Sequence, residues 1–310
     1  MKRTAIILAI LVLSTNILSQ ISLEAADLTA KGIKHYEAGD LNRALETLTK
    51  AIELSSKPKS RKPDRSNALT ESADDEELRD RITFHDPVTA TAFLNRGHVQ
   101  FARAKMDLAI ADYSESIRLK PANSEAYCAR STAYMVAGKT SQALDDAQRA
   151  IKIEPKFARG HLALAMAYHE LNRTDEALSS VNKAIELDPQ NAEAYFRRGD
   201  IHRLAVRYDE AMADYDRANA IDSDLASPYT GRGAIRFEQG RYQESIDHYS
   251  TALRLDPRLL QPMRFRGYAF LAIGKDDEAN RDFARVLAIA PAFREEIERA
   301  RSQILGKRKL

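Results

Sequence analysis

The chain has 310 residues, with 47 lysines and arginines against 45 aspartates and glutamates, one cysteine and no tryptophan. A formal net charge of +2, with both signs spread along the chain, excludes the sustained basic face that a nucleic-acid binder needs. The lone cysteine, Cys128, excludes an intramolecular disulfide, so stability has to come from a buried core, for which the chain is long enough.

At the N-terminus, Lys2 and Arg3 precede an unbroken apolar run from Ala5 to Leu13, which Ser14, Thr15 and Asn16 interrupt. That run is too short for a membrane span of about 20 residues and has the form of a signal-peptide core. Residues 1–25 are expected to be a signal peptide and the chain to be exported, periplasmic or secreted. The alternative is an uncleaved N-terminal anchor, the one way this chain would touch a membrane. Residues 26–56 hold Leu28, Gly32, Ala44, Leu48 and Ala51, an order of large and small residues that returns downstream. Residues 57–89 are polar, basic from Lys57 to Arg65 and then acidic from Glu71 to Glu77. So few apolar side chains cannot offset the entropy of ordering, and a disordered linker is expected there.

From Ala90 to Phe293 the same residue types recur in six windows of 34 residues. One column reads Gly97, Ser131, Ala165, Gly199, Gly233, Gly267, and another Ala109, Ala143, Ala177, Ala211, Ser245, Ala279. A large residue follows the second column by four positions: Tyr113, Val181, Tyr215, Tyr249 and Phe283, with Ala147 the small exception. Each window reads as two helices joined by a turn. Gly138, Asn172, Gly240 and Gly274 stand where a left-handed residue ends the first helix. Thr140, Thr174, Asp175 and Asp209 are expected to cap the second helix, and Asn123 and Asn191 the next first helix. Residues 294–310 carry Ile297, Ala300 and Ile304 at helical spacing before a basic tail, which predicts a helix covering the last hairpin. One correlation links the paired helices. Arg96, Arg130, Arg198, Arg232 and Arg266 precede the small column, and Asp112, Asp146, Asp214, His248 and Asp282 lie sixteen residues on. In one window both change together, to Leu164 and Ser180, which predicts an Arg–carboxylate contact within each hairpin.

Small residues at the helix contact, large ones beside it and a proline at the exit, repeated with this period, resemble the tetratricopeptide repeat family. The resemblance implies an all-α, right-handed superhelical solenoid of helix-turn-helix repeats, one in 26–56 and six in 90–293. It also implies that a second face of the first helices lines a concave groove. By that likeness the peptide-binding groove holds Leu94, His98, Cys128, Thr132, Leu162, Met166, Phe196, Asp200, Arg203, Phe237, Arg264 and Tyr268. Phe101, Met135, His169, Thr230 and Leu271 lie on the same face. Several of these are large and apolar although packing does not require it, which points to an interaction surface. The family subclass that grips a terminal carboxylate would need a set of lysine, asparagine and arginine at Leu94, His98, Ala129, Arg159 and Ala163, and only Arg159 fits.

The residues carry no motif for catalysis. There is no phosphate-cradling glycine loop, no His-Glu-x-x-His and no nucleophile elbow, and the histidines are dispersed. His161 and His169 are too far apart along one helix to share a metal. The expectation is a non-catalytic scaffold without cofactor or metal that binds an extended peptide or a partner helix of another protein in its concave groove, with no nucleic acid. The alternative is an accessory or assembly subunit of an envelope enzyme or transport complex.

Overall fold

The computed structural model describes residues 2–56 and 87–308, without the side chains of 2–19 and 56. The expected linker, up to residue 86, lies outside the described residues. Among the described residues seven helical hairpins follow one another. They are α1 (Lys2–Glu37) with α2 (Leu41–Ser56), α3 (Pro87–Ala102) with α4 (Met106–Leu119), and α5 (Ser124–Val136) with α6 (Thr140–Ile153). Then come α7 (Ala158–Glu170) with α8 (Thr174–Leu187), α9 (Ala192–Leu204) with α10 (Tyr208–Ile221), α11 (Ser227–Glu238) with α12 (Tyr242–Leu255), and α13 (Leu260–Ala272) with α14 (Asp276–Ile289). A 3-10 turn, Pro291–Phe293, leads into α15 (Arg294–Arg308). No strand occurs among the described residues, and the chain is an all-α repeat solenoid. It divides into two compact units, Met1–Ala163 and Leu164–Leu310.

Helix ends follow the local chemistry with one difference from expectation. Asn123 accepts a hydrogen bond from the Ala126 amide and Asn191 from the Ala194 amide, so both cap as expected. Thr140, Thr174, Asp175 and Asp209 do not cap the second helices. The cap positions there are Lys139, Arg173 and Arg207, none of which makes a side-chain cap bond. A left-handed residue just before each cap sets the entry of the helix, so the threonines fall one position inside it. Asp175 and Asp209 then sit in the first turn, where negative charge suits the helix dipole. The left-handed positions include Gly138, Asn172, Gly240 and Gly274 as expected, and also Val206 at φ 59°. A β-branched residue there is strained, and the turn keeps it because its neighbours dictate the path of the chain. In unit one, α3 opens at Pro87, so residues 87–89 belong to the hairpin and Thr89 is buried.

The small and large columns meet as volumes. A Cβ added at Gly199 would lie 2.7 Å from the Tyr215 ring, and one at Gly267 would lie 2.5 Å from Phe283. Where the small column gains a side chain, its partner shrinks. Ser131 pairs with Ala147 and donates to the Ala143 carbonyl at 2.7 Å, and Ala165 shares its hairpin with Val181. Each hairpin thus keeps a close helix approach with a filled core beside it.

The arginine column does what its covariation predicts. Arg96–Asp112, Arg130–Asp146, Arg198–Asp214 and Arg266–Asp282 are bidentate, with N···O distances from 2.6 to 2.9 Å. The aspartates are buried, and Leu164 and Ser180 stand buried in the hairpin that lacks the pair. A second set of contacts runs between hairpins, to a polar column that recurs with the same 34-residue period. Arg130, Arg198 and Arg266 also donate to Ser114, Asn182 and Ser250, sixteen residues earlier on the preceding hairpin. Arg232, which has His248 in place of aspartate, pairs with Asp216 in that preceding position. Asp247, adjacent to His248, instead takes a hydrogen bond from Gln243. The missing carboxylate is therefore replaced one hairpin earlier, and Arg232 stays compensated.

Candidate functional site

In unit one the expected groove residues are knitted into the packing between first helices. Leu94 and Phe101 are partly buried against Ala109, Tyr113 and Ala133. His98 Nδ1 lies 3.0 Å from the Tyr113 hydroxyl, and its ring stacks on Tyr36 at 6.4 Å between centroids. Burial, helped by the positive charge of Arg159, holds the His98 pKa down at about 4. Cys128 is buried, its Sγ donates to the Arg159 carbonyl at 3.5 Å, and burial pushes the thiol up to about 12. A thiol so protonated is no nucleophile at neutral pH. Thr132 Oγ1 turns back to the Cys128 carbonyl, and Leu162 is buried. Arg159, the one match to the carboxylate-gripping pattern, is paired with Glu125.

The His98 environment gives a pH dependence of definite sign. The folded pKa lies below that of an unfolded histidine, so between about pH 6.5 and pH 4 the unfolded chain binds a proton that the folded chain does not. Stability should fall as pH drops through that window, and His98→Gln should flatten this part of the profile. A midpoint–pH curve from urea unfolding that is the same in the variant would contradict this reading of His98.

In unit two, the expected residues separate into two groups. Phe196, Asp200 and Arg203 on α9 converge with Ser227, Thr230, Gly231 and Ala234 on α11 on one open cavity of about 130 Å³. Leu259, Gln261 and Pro262 at the start of α13 complete its wall. Asp200 Oδ1 accepts from the Tyr215 hydroxyl at 2.9 Å and from Arg203 Nε at 3.4 Å. Arg203 Nη1 also reaches Glu238 at 3.1 Å, and Glu238 takes the Tyr208 hydroxyl at 2.9 Å. These bonds fix the two charged side chains of the cavity in place. Met166 is half-buried, and Phe237 packs edge-on against Tyr242 and Phe265.

Arg264 and Tyr268 form the other group, and here the expectation is corrected. Arg264 pairs with Glu296 of α15 at 2.9 Å and lies over the Phe293 ring at 4.4 Å. Tyr268 and Leu271 are buried in one cluster with Ile297, against which Ala300, Ile304 and Leu305 also pack. Arg308 at the far end of α15 donates to the Leu271 carbonyl at 3.0 Å and to Asp276 at 2.7 Å. Helix α15 thus covers the expected groove face of the seventh hairpin and keeps its apolar residues from water. Of the large apolar residues expected on this face, Leu162, Phe196 and Tyr268 are each less than 9% exposed, and of these Phe196 still lines the cavity. Ser227, Gly231, Ala234, Leu259, Gln261 and Pro262 were missed by sequence reasoning. The signal available for Ala234 was its size in the column His98, Thr132, Met166, Asp200, Tyr268.

Paired helices repeated at this period, with one unit keeping an open, charged cavity on its first helices, define a helical-repeat interaction scaffold. Residues 128–192 and 162–226 each match one tetratricopeptide repeat model, and residues 226–259 match a second. Over residues 128–259 the chain thus carries tetratricopeptide repeats. No curated protein sequence matches it as a relative. Among solved structures, a tetratricopeptide repeat protein from Parabacteroides merdae is similar with a TM-score of 0.64 and 17% identity, covering 91% of this chain and 99% of that one. A thermophilic repeat protein from Thermus thermophilus gives 0.55 and 22% over 59% of this chain and 99% of that one. The Cut9–Hcn1 hetero-tetramer structure of the APC/C gives 0.62 and 17% over 88% of this chain and 55% of that one. At these identities the likeness is one of fold.

Proposed function

We propose that the protein is a non-catalytic interaction scaffold that receives an extended peptide segment of a partner protein on the first-helix face of unit two. One observation carries this reading. Phe196, Asp200 and Arg203, on successive turns of one helix, line a single cavity with the neighbouring first helices, and their polar atoms are held in place by bonds to Tyr215 and Glu238. Preorganised polar groups on rigid helices reduce the ordering cost of binding a flexible segment. The test is selection of displayed random peptides of about 15 residues on the full chain, repeated with Thr230→Arg, which sets a long side chain across the cavity. Enrichment that falls at least tenfold in the variant is expected. Peptides that bind both proteins alike would place the interaction elsewhere and sink the proposal.

We also propose export, supported by Lys2, Arg3 and the apolar run that follows. Those residues lie in the first part of α1, and no described helix is long and apolar enough to cross a membrane. N-terminal sequencing of the mature protein should begin between about Gln20 and Asp27. Recovery of intact Met1 in the membrane fraction would establish the anchor instead.

A further inference from the structure

The cavity in unit two is electrostatically unfinished. Arg203 is shared by two carboxylates, Asp200 at 3.4 Å and Glu238 at 3.1 Å, so one negative charge in this group has no partner cation among the described residues. His169, which feels Asp200, is kept toward its neutral form by burial and does not supply one. Asp200 Oδ1 is committed twice, to Tyr215 and Arg203, while Oδ2 takes no hydrogen bond among the described residues. Asp200 is a quarter exposed and lines the cavity, so its free oxygen belongs to a carboxylate whose orientation is already fixed.

A second observation concerns a missing side chain. In the second and fifth hairpins the tyrosine of the large column ends on the residue just after the small column, Tyr113 on His98 and Tyr215 on Asp200. In the sixth hairpin that residue is Ala234, a cavity wall residue. Tyr249 is fully buried there, and its hydroxyl has no hydrogen-bond partner among the described residues. The neighbouring Ser245 hydroxyl gives its hydrogen to the Gly233 carbonyl at 2.8 Å. The charges that Tyr249 feels are those of Arg203 and Glu238. The fold therefore leaves space where sister hairpins place a polar side chain, next to an uncompensated negative charge.

We propose that this cavity is a subsite for a basic side chain, a lysine of the partner segment, whose ammonium donates to Asp200 Oδ2. The apolar stem runs along Phe196 and Leu259, and the head enters the space that Ala234 leaves open. This assignment rests on the peptide-binding reading above and names the residue class it selects. An acidic side chain would meet surplus negative charge, and an apolar one would leave Asp200 Oδ2 without a donor.

The probe is Nα-acetyl-lysine N-methylamide, titrated into the full chain with methyl-labelled alanine and threonine and followed by NMR at Ala234 and Thr230. Saturable shifts are expected at both methyls, with the norleucine analogue at least tenfold weaker. Asp200→Asn keeps the shape and the Tyr215 bond and should weaken lysine binding at least fivefold. Ala234→Met copies Met166 from the fourth hairpin, so the fold should tolerate it while binding disappears. Equal binding of the norleucine and lysine probes, or unchanged binding in Asp200→Asn, would overturn the assignment. The two readings fail separately. Displayed peptides without lysine or arginine that bind as well as basic ones would remove the subsite and leave the groove. A lysine probe that binds while no peptide is selected would remove the groove and leave the subsite.

Discussion

Arg198→Leu is expected to lower the stability of unit two by about 3–5 kcal/mol, because it strands the Asp214 carboxylate in a buried position. The only other cationic group near Asp214 among the described residues is His202, with Nε2 at 3.9 Å, and burial holds the pKa of that histidine down. Asn182 loses its bond from Arg198 as well, although this bond is exposed and its loss costs little. Combining Arg198→Leu with Asp214→Ser reproduces the Leu164 and Ser180 of the preceding hairpin and should restore most of the loss. Replacing a buried pair by fitting uncharged residues is often nearly neutral, whereas removing one partner is not. Urea unfolding of the four proteins in a double-mutant cycle checks this. Additive losses would show that the bidentate geometry contributes no coupling.

The second large effect lies in the matched volumes. Gly199→Ala should cost about 1–3 kcal/mol, since its Cβ would stand 2.7 Å from the ring of fully buried Tyr215. Alanine's better helix propensity, worth about 1 kcal/mol, offsets part of this. Tyr215→Val alone should cost about 3–5 kcal/mol through the cavity it opens and the lost bond to Asp200. Together the two changes give the Ala165 and Val181 arrangement of the fourth hairpin. The double variant should therefore be at least about 1 kcal/mol more stable than the sum of the single losses predicts. Thermal unfolding of the three variants reads this directly, and strict additivity would mean that the two side chains do not share one space.

Both experiments use one hairpin of the chain as the control for another, which is possible because the hairpins carry the same register with different side chains. That register is legible in the amino-acid sequence alone. Period, small columns and turn glycines are local or short-range features, and each reports the steric demand of two helices in close contact. The Arg–Asp pairs are legible for a related reason. A partner sixteen residues away is lost together with the arginine in the Leu164 hairpin, so the contact leaves a trace in the chain itself.

What the groove face does is not legible there, since it depends on neighbours that the chain supplies at longer range. Phe196 and Tyr268 read alike as large groove residues. Tertiary structure makes one the wall of an open cavity and puts the other under α15. Arg203 and Arg264 likewise read as equivalent cations. The first is held between Asp200 and Glu238 beside open space, and the second is spent on Glu296 and Phe293. Sequence by itself determined the helices, their pairing and the contacts within each hairpin, because these follow from steric and charge complementarity at fixed short spacing. Only the tertiary structure decided which first-helix positions remain open. Exposure is settled by what packs on a face, here by a helix outside the repeats such as α15 and by the size of single residues such as Ala234.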